Sequence, residues 1–515
     1  MAECTKPAMP GSGVCPGQTT GRGILNDAVA LVRGDRFLSY DFNSNTLTNY
    51  GVSHLSRVPG GSYGGMLPRL LYTGLPTAFS GTSSYALLQF YTPKAAKGIL
   101  KDNGVLEQYD TKRDPSDLTL AAVHTQEGCK KIFEDRETFR MMNGQKGPSP
   151  TLQKIFLEDG YEAKVTKFFG TDAAKLIKDR SLKYPGTRRS IDIVRDVTNA
   201  TPVRFIAERL AIPIKTMEQP RGVFSIPQVF DILSSMYAYS HQNILPINEW
   251  QLRDASTKKG ANLKAIIEAH LKTQSGFKEK IVDFMEKGSA FEVGPDADRI
   301  YHTLNGSKQP MTSLVDACID FAAPIAATVT QQASLLIDLF LTPQYEEYKK
   351  RIIELSHQND AASEKELQGF VLEGIRHAGA VPGIPRKVSK NTTVQDGASG
   401  PVSLKAGQTV LIGTSRAAMD PSVFSEPEKL NPHRPRELYN VFGTSLPEVN
   451  FVAPAIAAML REVFKLKGIR RAMGKPGMFT ATETEIAGVK IRQYLDANAK
   501  EQPMPTCLML EYEEA

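Results

Sequence analysis

The sequence predicts a mainly α protein with a minor β portion, and three observations carry that reading. Apolar residues recur at helical spacing over most of the chain beyond residue 115, and strand-like alternation is confined to the C-terminal quarter. A content of 41% hydrophobic and 23% charged residues is that of an ordinary folded chain, which excludes disorder as the main state.

In chain order, the Gly-, Pro-, Thr- and Ser-rich residues 1–22 read as a flexible leader. Residues 23–60 give a short amphipathic helix, a charged turn and a loop. The run Pro59 to Gly65, with four glycines and a proline in seven residues, reads as a hinge, and residues 61–515 as one large domain. Periodicity predicts helices over 116–142, 151–168, 188–211, 226–241, 259–288, 311–341, 344–357, 362–378 and 453–467. Strands are expected within 391–416, around Gly397, Gly400 and Gly407, and again over 490–494 and 507–512.

Composition also excludes several functions. A net charge of +6 that is not gathered into runs argues against a nucleic-acid partner. Five cysteines without a CxxC pair indicate neither a zinc site nor a disulfide scaffold, and suit a reducing compartment. Residues 1–17 hold no apolar stretch of signal-peptide length. The longest apolar stretch, 317–329, is broken by Asp320 and Pro324 and is too short to span a bilayer. A cytoplasmic protein without an integral membrane segment is expected. Eight histidines without HxxxH spacing, and the absence of a phosphate-binding GxxxxGK[ST] loop, leave no metal or nucleotide site.

One tetrapeptide carries more weight. Glu373-Gly374-Ile375-Arg376 lies on a predicted helix, so its two charges share a face. Alone, such a pair is usually a solvated surface pair. Downstream, however, stands Asp420-Pro421-Ser422-Val423-Phe424-Ser425-Glu426-Pro427-Glu428-Lys429-Leu430-Asn431-Pro432-His433-Arg434-Pro435. The order and spacing resemble the E-x-x-R helix and the D-P-x-x-F-x-x-P-x-x-F-x-P-x-R-P meander of cytochromes P-450. The resemblance implies a buried charge triad of Glu373, Arg376 and Arg434.

Segments 28–51, 211–233 and 335–348 extend the likeness to the C-terminal half of fungal fatty-acid dioxygenase fusions, the linoleate diol synthase or psi-factor-producing oxygenase family. In those proteins a peroxidase-like dioxygenase precedes a cytochrome P-450-like hydroperoxide isomerase. Residues 28–51 resemble the end of the dioxygenase domain, so a short remnant of that domain is expected ahead of the cytochrome P-450-like fold. The dioxygenase's catalytic tyrosine and heme histidines have no counterpart here.

The heme-thiolate loop of this family reads F-G-x-G-x-H-x-C-x-G. Here it is Phe442-Gly443-Thr444-Ser445-Leu446-Pro447-Glu448-Val449-Asn450-Phe451, with Val449 at the cysteine position. No cysteine lies between Cys318 and Cys507, so no shift of alignment restores the ligand. Glu448 and His433 are the substitute ligands at hand. The family's A-N-x-x-Q on the long distal helix is Ala327-Thr328-Val329-Thr330-Gln331, with Thr328 in place of the asparagine that helps cleave the hydroperoxide. Pro324 is expected to kink that helix. Asp316 and Asp320, four apart on the same helix, are candidates for acid or base work.

Scaffold residues retained and redox residues lost define the expected function: a heme-free enzyme that uses an apolar cavity for redox-neutral cyclisation or isomerisation, such as a Diels–Alder reaction, of a small apolar terpenoid or polyketide intermediate in fungal secondary metabolism. Thr328, Thr330, Gln331, Asp316 and Asp320 are the candidate donors and acids, and no cofactor is expected. The alternatives are a hydroperoxide isomerase that keeps heme through another ligand, and a non-catalytic lipid-binding relative.

Overall fold

The computed structural model describes residues 121–144, 160–244, 249–274, 295–439, 449–496 and 501–514, apart from 217, 218, 221, 308 and 380. The chain divides into two compact units, residues 1–119 with 245–255 and residues 120–244 with 256–515. Of the first unit only the helical residues 249–255 are described, so the architecture below is that of the second. The expected leader (1–22), the remnant at 23–60 and the hinge at 59–65 lie outside the described residues.

Where periodicity predicts one helix over 116–142, the chain forms strand β1 (Ala121–Val123), helix α1 (Gln126–Glu134) and strand β2 (Phe139–Arg140). Only α1 is held by local forces, with the Thr125 hydroxyl accepting from the Gly128 N–H at its start. The flanking strands exist because distant segments pair with them. Helix α2 (Tyr161–Arg180) follows, then the hairpin of β3 (Leu182–Lys183) and β4 (Arg188–Asp192), a π-turn at Val194–Thr198 and helix α3 (Ala200–Arg209). The helix expected over 188–211 thus begins as a strand, because Arg188 to Asp192 pair with the last strand of the chain.

Helix α4 (Ile226–His241) ends where predicted and starts in a capping box, in which Ser225 and Gln228 satisfy each other's backbone N–H groups. Helices α5 (Glu249–Gln274), α6 (Pro295–Gly306), α7 (Met311–Pro324), α8 (Thr330–Phe340), α9 (Glu346–Ser356) and α10 (Ala361–Ala378) complete the helical run. Strands β5 (Ile384–Val388), β6 (Thr392–Gln395), β7 (Pro401–Leu404) and β8 (Thr409–Ile412) come next. Helix α11 (Val449–Phe464) leads to β9 (Lys467–Arg471), β10 (Ala481–Ile486), β11 (Val489–Leu495), β12 (Glu501–Gln502) and β13 (Met509–Glu513). The strands form small sheets of order β1-β8-β5-β2, β3-β4-β13-β9, β10-β11-β12 and β6-β7.

The core lies among the helices. Apolar α11 packs on α2, α8, α9 and α10, and residues 451–460 are all buried. Helices α7 and α8, joined by a π-turn at Ile325–Val329, form one run from Met311 to Phe340. By length and composition alone that run would cross a membrane, but 72% of its apolar window is buried inside the protein, which makes it a core helix. Burying one such run among many amphipathic helices is what a mainly α fold of this size requires.

Candidate functional site

Helix α10 presents Glu373 and Arg376 three residues apart on its inner face, and both side chains are fully buried. Arg376 Nε and Nη2 donate to the two Glu373 carboxylate oxygens, at 2.9 Å each. Arg434, 7% exposed, places Nε 3.5 Å from Glu373 Oε2 and donates Nη2 to the Ser425 carbonyl at 2.8 Å. The Tyr439 hydroxyl (2.6 Å) and the Asn431 N–H (2.8 Å) also donate to Glu373. Burial pushes the Glu373 carboxyl up, but the hydrogen bonds from Arg376, Tyr439 and Asn431 outweigh it and hold the group below its ordinary range. Arg376 spends its remaining donors on the carbonyls of Ala418, Pro427 and Lys429, which ties α10 to the meander. Gly369 permits the approach, since a Cβ there would meet the Pro432 carbonyl oxygen at 1.9 Å. These groups form a structural clamp rather than a reactive centre.

The candidates on the long core helix divide by what holds them. Thr328 is fully buried in the π-turn, and its hydroxyl donates to the Pro324 carbonyl at 2.6 Å. Thr330, also fully buried, donates to the Thr198 carbonyl at 2.8 Å, joining this helix to the end of the other π-turn. Gln331 is buried with its Oε1 unpartnered, while its side chain supports the Tyr494 hydroxyl. Asp316 is spent on an ion pair with Lys264 at 2.7 Å. Asp320 is only partly exposed; burial first, and the Asp316 carboxylate second, push its carboxyl up to about 7, opposed by Lys264 and a hydrogen bond from Asn143. Of the five, Asp320 alone is poised to exchange a proton near neutral pH.

The resemblance implies a heme held by a thiolate at the start of α11. The residues present do not fit that group. Val449 opens α11. The described cysteines lie elsewhere: Cys129 on α1, Cys318 on α7, and Cys507 just before β13. All three are held as thiols, Cys318 pushed up to about 12 by burial and Cys507 to about 11 by burial and then by Asp192. Burial raises Cys129 further still. Phe451, fully buried in the first turn of α11, packs against Phe169 (centroids 6.0 Å apart) and Phe205 (5.3 Å). A bulky ring thus fills the place of the family's glycine. His433 is exposed on the meander, and Glu448 lies outside the described residues. Among the described residues no group of three or more His, Cys, Asp or Glu is placed to hold a metal ion.

The sequence reading passed over three features. Tyr439 completes the clamp without belonging to any short motif. Gln332, beside Gln331, is buried with Oε1 unpartnered on a small pocket lined also by Ile375, Val381 and Thr414. Arg386 lies on β5, a strand hidden from periodicity by Pro382, Gly383 and Pro385.

The family model for cytochrome P450 matches residues 349–447, the stretch from α9 through the clamp and the meander. Over 92% of its length the chain is 28% identical to a bifunctional dioxygenase–epoxy alcohol synthase of Fusarium oxysporum, of which it covers 39%. It is 27% identical over 93% of its length to psi-producing oxygenase A of Emericella nidulans, covering 47% of that protein. A 7,8-linoleate diol synthase of Pyricularia oryzae is 23% identical, with 93% of this chain and 49% of that protein covered. The chain therefore spans less than half the length of these curated relatives. Among solved structures, the testosterone complex of CYP109E1 from Bacillus megaterium superposes with a TM-score of 0.53 at 16% identity, covering 79% of this chain and 96% of that one. The cytochrome P450 EryK of S. erythraea gives 0.51 at 14%, covering 82% and 97%. This chain has the cytochrome P450 fold, which normally binds heme, and resembles the C-terminal cytochrome P450-like part of the fungal fatty-acid dioxygenase fusions, with a valine where that family has its heme-thiolate cysteine.

Proposed function

We propose that this protein is a cytoplasmic, heme-free cytochrome P450-like enzyme that catalyses a redox-neutral cyclisation or isomerisation, of the Diels–Alder type, on an apolar terpenoid or polyketide intermediate. The observation that carries the proposal is Val449 at the first position of α11, with Phe451 packed into the aromatic cluster behind it. An alkyl side chain cannot ligate iron, whereas the clamp at Glu373 that maintains the fold is fully assembled. Such a scaffold retains the capacity to orient an apolar substrate, and orientation with one hydrogen bond to a developing charge suffices for a pericyclic or proton-transfer rearrangement. Asp320 is the residue we assign to that hydrogen bond or proton. Thr328 and Thr330 shape the helix, since their hydroxyl protons are committed to carbonyls.

The relatives' names favour a second reading, in which the protein isomerises fatty-acid hydroperoxides through a substitute heme ligand. Incubating the purified protein with a linoleate hydroperoxide separates the two. Our proposal expects the hydroperoxide to be recovered unchanged. Enzymatic formation of diols or epoxy alcohols would contradict it and establish the second reading.

A further inference from the structure

We propose that the solvent face of the sheet β3-β4-β13-β9, together with the turn that follows β9, docks on an anionic lipid surface. The inference concerns where the protein sits and stands apart from the reaction proposed above.

Alternation along the strands gives this sheet two unlike faces. Ile191, Leu510 and Tyr512 point into the helical core and are buried. Cross-strand partners share a face, so the register Leu182, Ser190, Glu511, Arg470 places those four side chains on the other one. Tyr184 joins them: its hydroxyl accepts from Ser190 at 3.2 Å, and its ring centre lies 5.2 Å from the Arg188 guanidinium. Four of the five large apolar side chains that stand exposed among the described residues flank this sheet. Leu182 and Tyr184 are on the β3 edge, and Met473 (91% exposed) and Met478 (60%) are on the turn after β9. That turn is closed on itself. The Ala472 N–H donates to the Met509 carbonyl at 2.9 Å and the Met478 N–H to the Lys475 carbonyl at 3.1 Å. Gly477 packs so closely that a Cβ there would meet the Ala472 carbonyl oxygen at 1.9 Å. Docking through the two methionines therefore orders little backbone that is not ordered already.

Charge selects the partner. The three segments that build the face, residues 182–192, 467–478 and 509–513, carry seven Lys and Arg side chains against three carboxylates. Two of those carboxylates are sunk beneath arginines. Glu511, 8% exposed, lies under Arg188 (2.5 Å) and Arg470 (3.1 Å), and Asp192, also buried, lies under Arg195. What meets solvent is therefore positive. Exposed Lys475 stands between the two methionines, and no acidic residue occurs from 465 to 482. A nucleic acid would satisfy the cations but leave the apolar side chains in water. A lipid surface satisfies both, since the thioethers enter the acyl boundary while ammonium and guanidinium groups stay among anionic headgroups.

The test is co-sedimentation of the full chain with vesicles of phosphatidylcholine alone and of phosphatidylcholine containing about one-third phosphatidylserine. Partition onto the anionic vesicles is expected to be at least about tenfold stronger, and to weaken as salt rises. Met473→Ser with Met478→Ser, and separately Lys475→Glu, are each expected to lower it about tenfold. Neither change is expected to move the melting temperature, because these side chains are exposed. Val223→Ser removes the fifth exposed apolar side chain, in the loop before α4, and is expected to leave partition unchanged. Equal partition onto both vesicles, no partition onto either, or loss on Val223→Ser alone would overturn the inference. Self-association that the methionine double variant abolishes would assign the face to a second copy of the chain and overturn it as well.

Discussion

Glu373 accepts four hydrogen bonds from Arg376, Tyr439 and Asn431 in a site closed to water, so its charge is compensated on every side. Removing it leaves two buried guanidinium groups facing each other, and Glu373→Ala is expected to cost about 3–5 kcal/mol in denaturant unfolding, if the chain folds at all. Because the folded-state value of this carboxyl lies below its ordinary one, its contribution is complete above pH 4.5 and is lost as pH falls through the folded value. Asp320 has the opposite sign. Its carboxyl is raised from 3.8 to about 7, so the folded state binds the extra proton between those values and stability falls as pH rises through them. Melting temperatures from pH 4 to 8 are expected to show this decline in the wild type and a flatter profile in Asp320→Asn. The clamp was legible in the sequence because Glu373, Arg376 and Arg434 sit at fixed spacing. The difference between Asp316 and Asp320 was not, since two residues four apart look alike until Lys264 and Asn143 take one each.

At the scale of elements, the long core helix departs from regular geometry directly after its proline. Pro324 lacks the N–H that would bond the carbonyl of Asp320 four residues earlier, and directly after it the chain widens into a π-turn in which the Thr328 hydroxyl donates to the Pro324 carbonyl. Thr328→Val keeps the shape but leaves that buried carbonyl without its side-chain donor. A loss of about 1–3 kcal/mol in denaturant unfolding is expected, where a catalytic role alone would leave stability unchanged. The irregularity was predictable at Pro324, but its form was not. Long amphipathic elements such as α4 and α10 were visible because their periodicity and caps are local: Ser225 with Gln228 in one, Asp360 accepting from Ala362 and Ser363 in the other. Short strands such as β1 and β2 were not visible, because their pairing partners lie more than 240 residues away.

For the whole molecule, the fold was readable because clamp and meander are written in contiguous motifs, and the family match covers that same stretch. The buried polar atoms were less readable: Tyr237 and Asn243 stand at and just beyond the end of α4, and only folding shows that their side-chain polar atoms lack partners. The account turns on a scaffold kept and a heme-thiolate centre lost, with Val449 and Phe451 as its two residues. The most direct test is the absorbance spectrum of the purified protein, produced with a heme precursor supplied, with heme quantified against protein. The account predicts no Soret band and heme far below one per chain. A Soret band at near one heme per chain would contradict it.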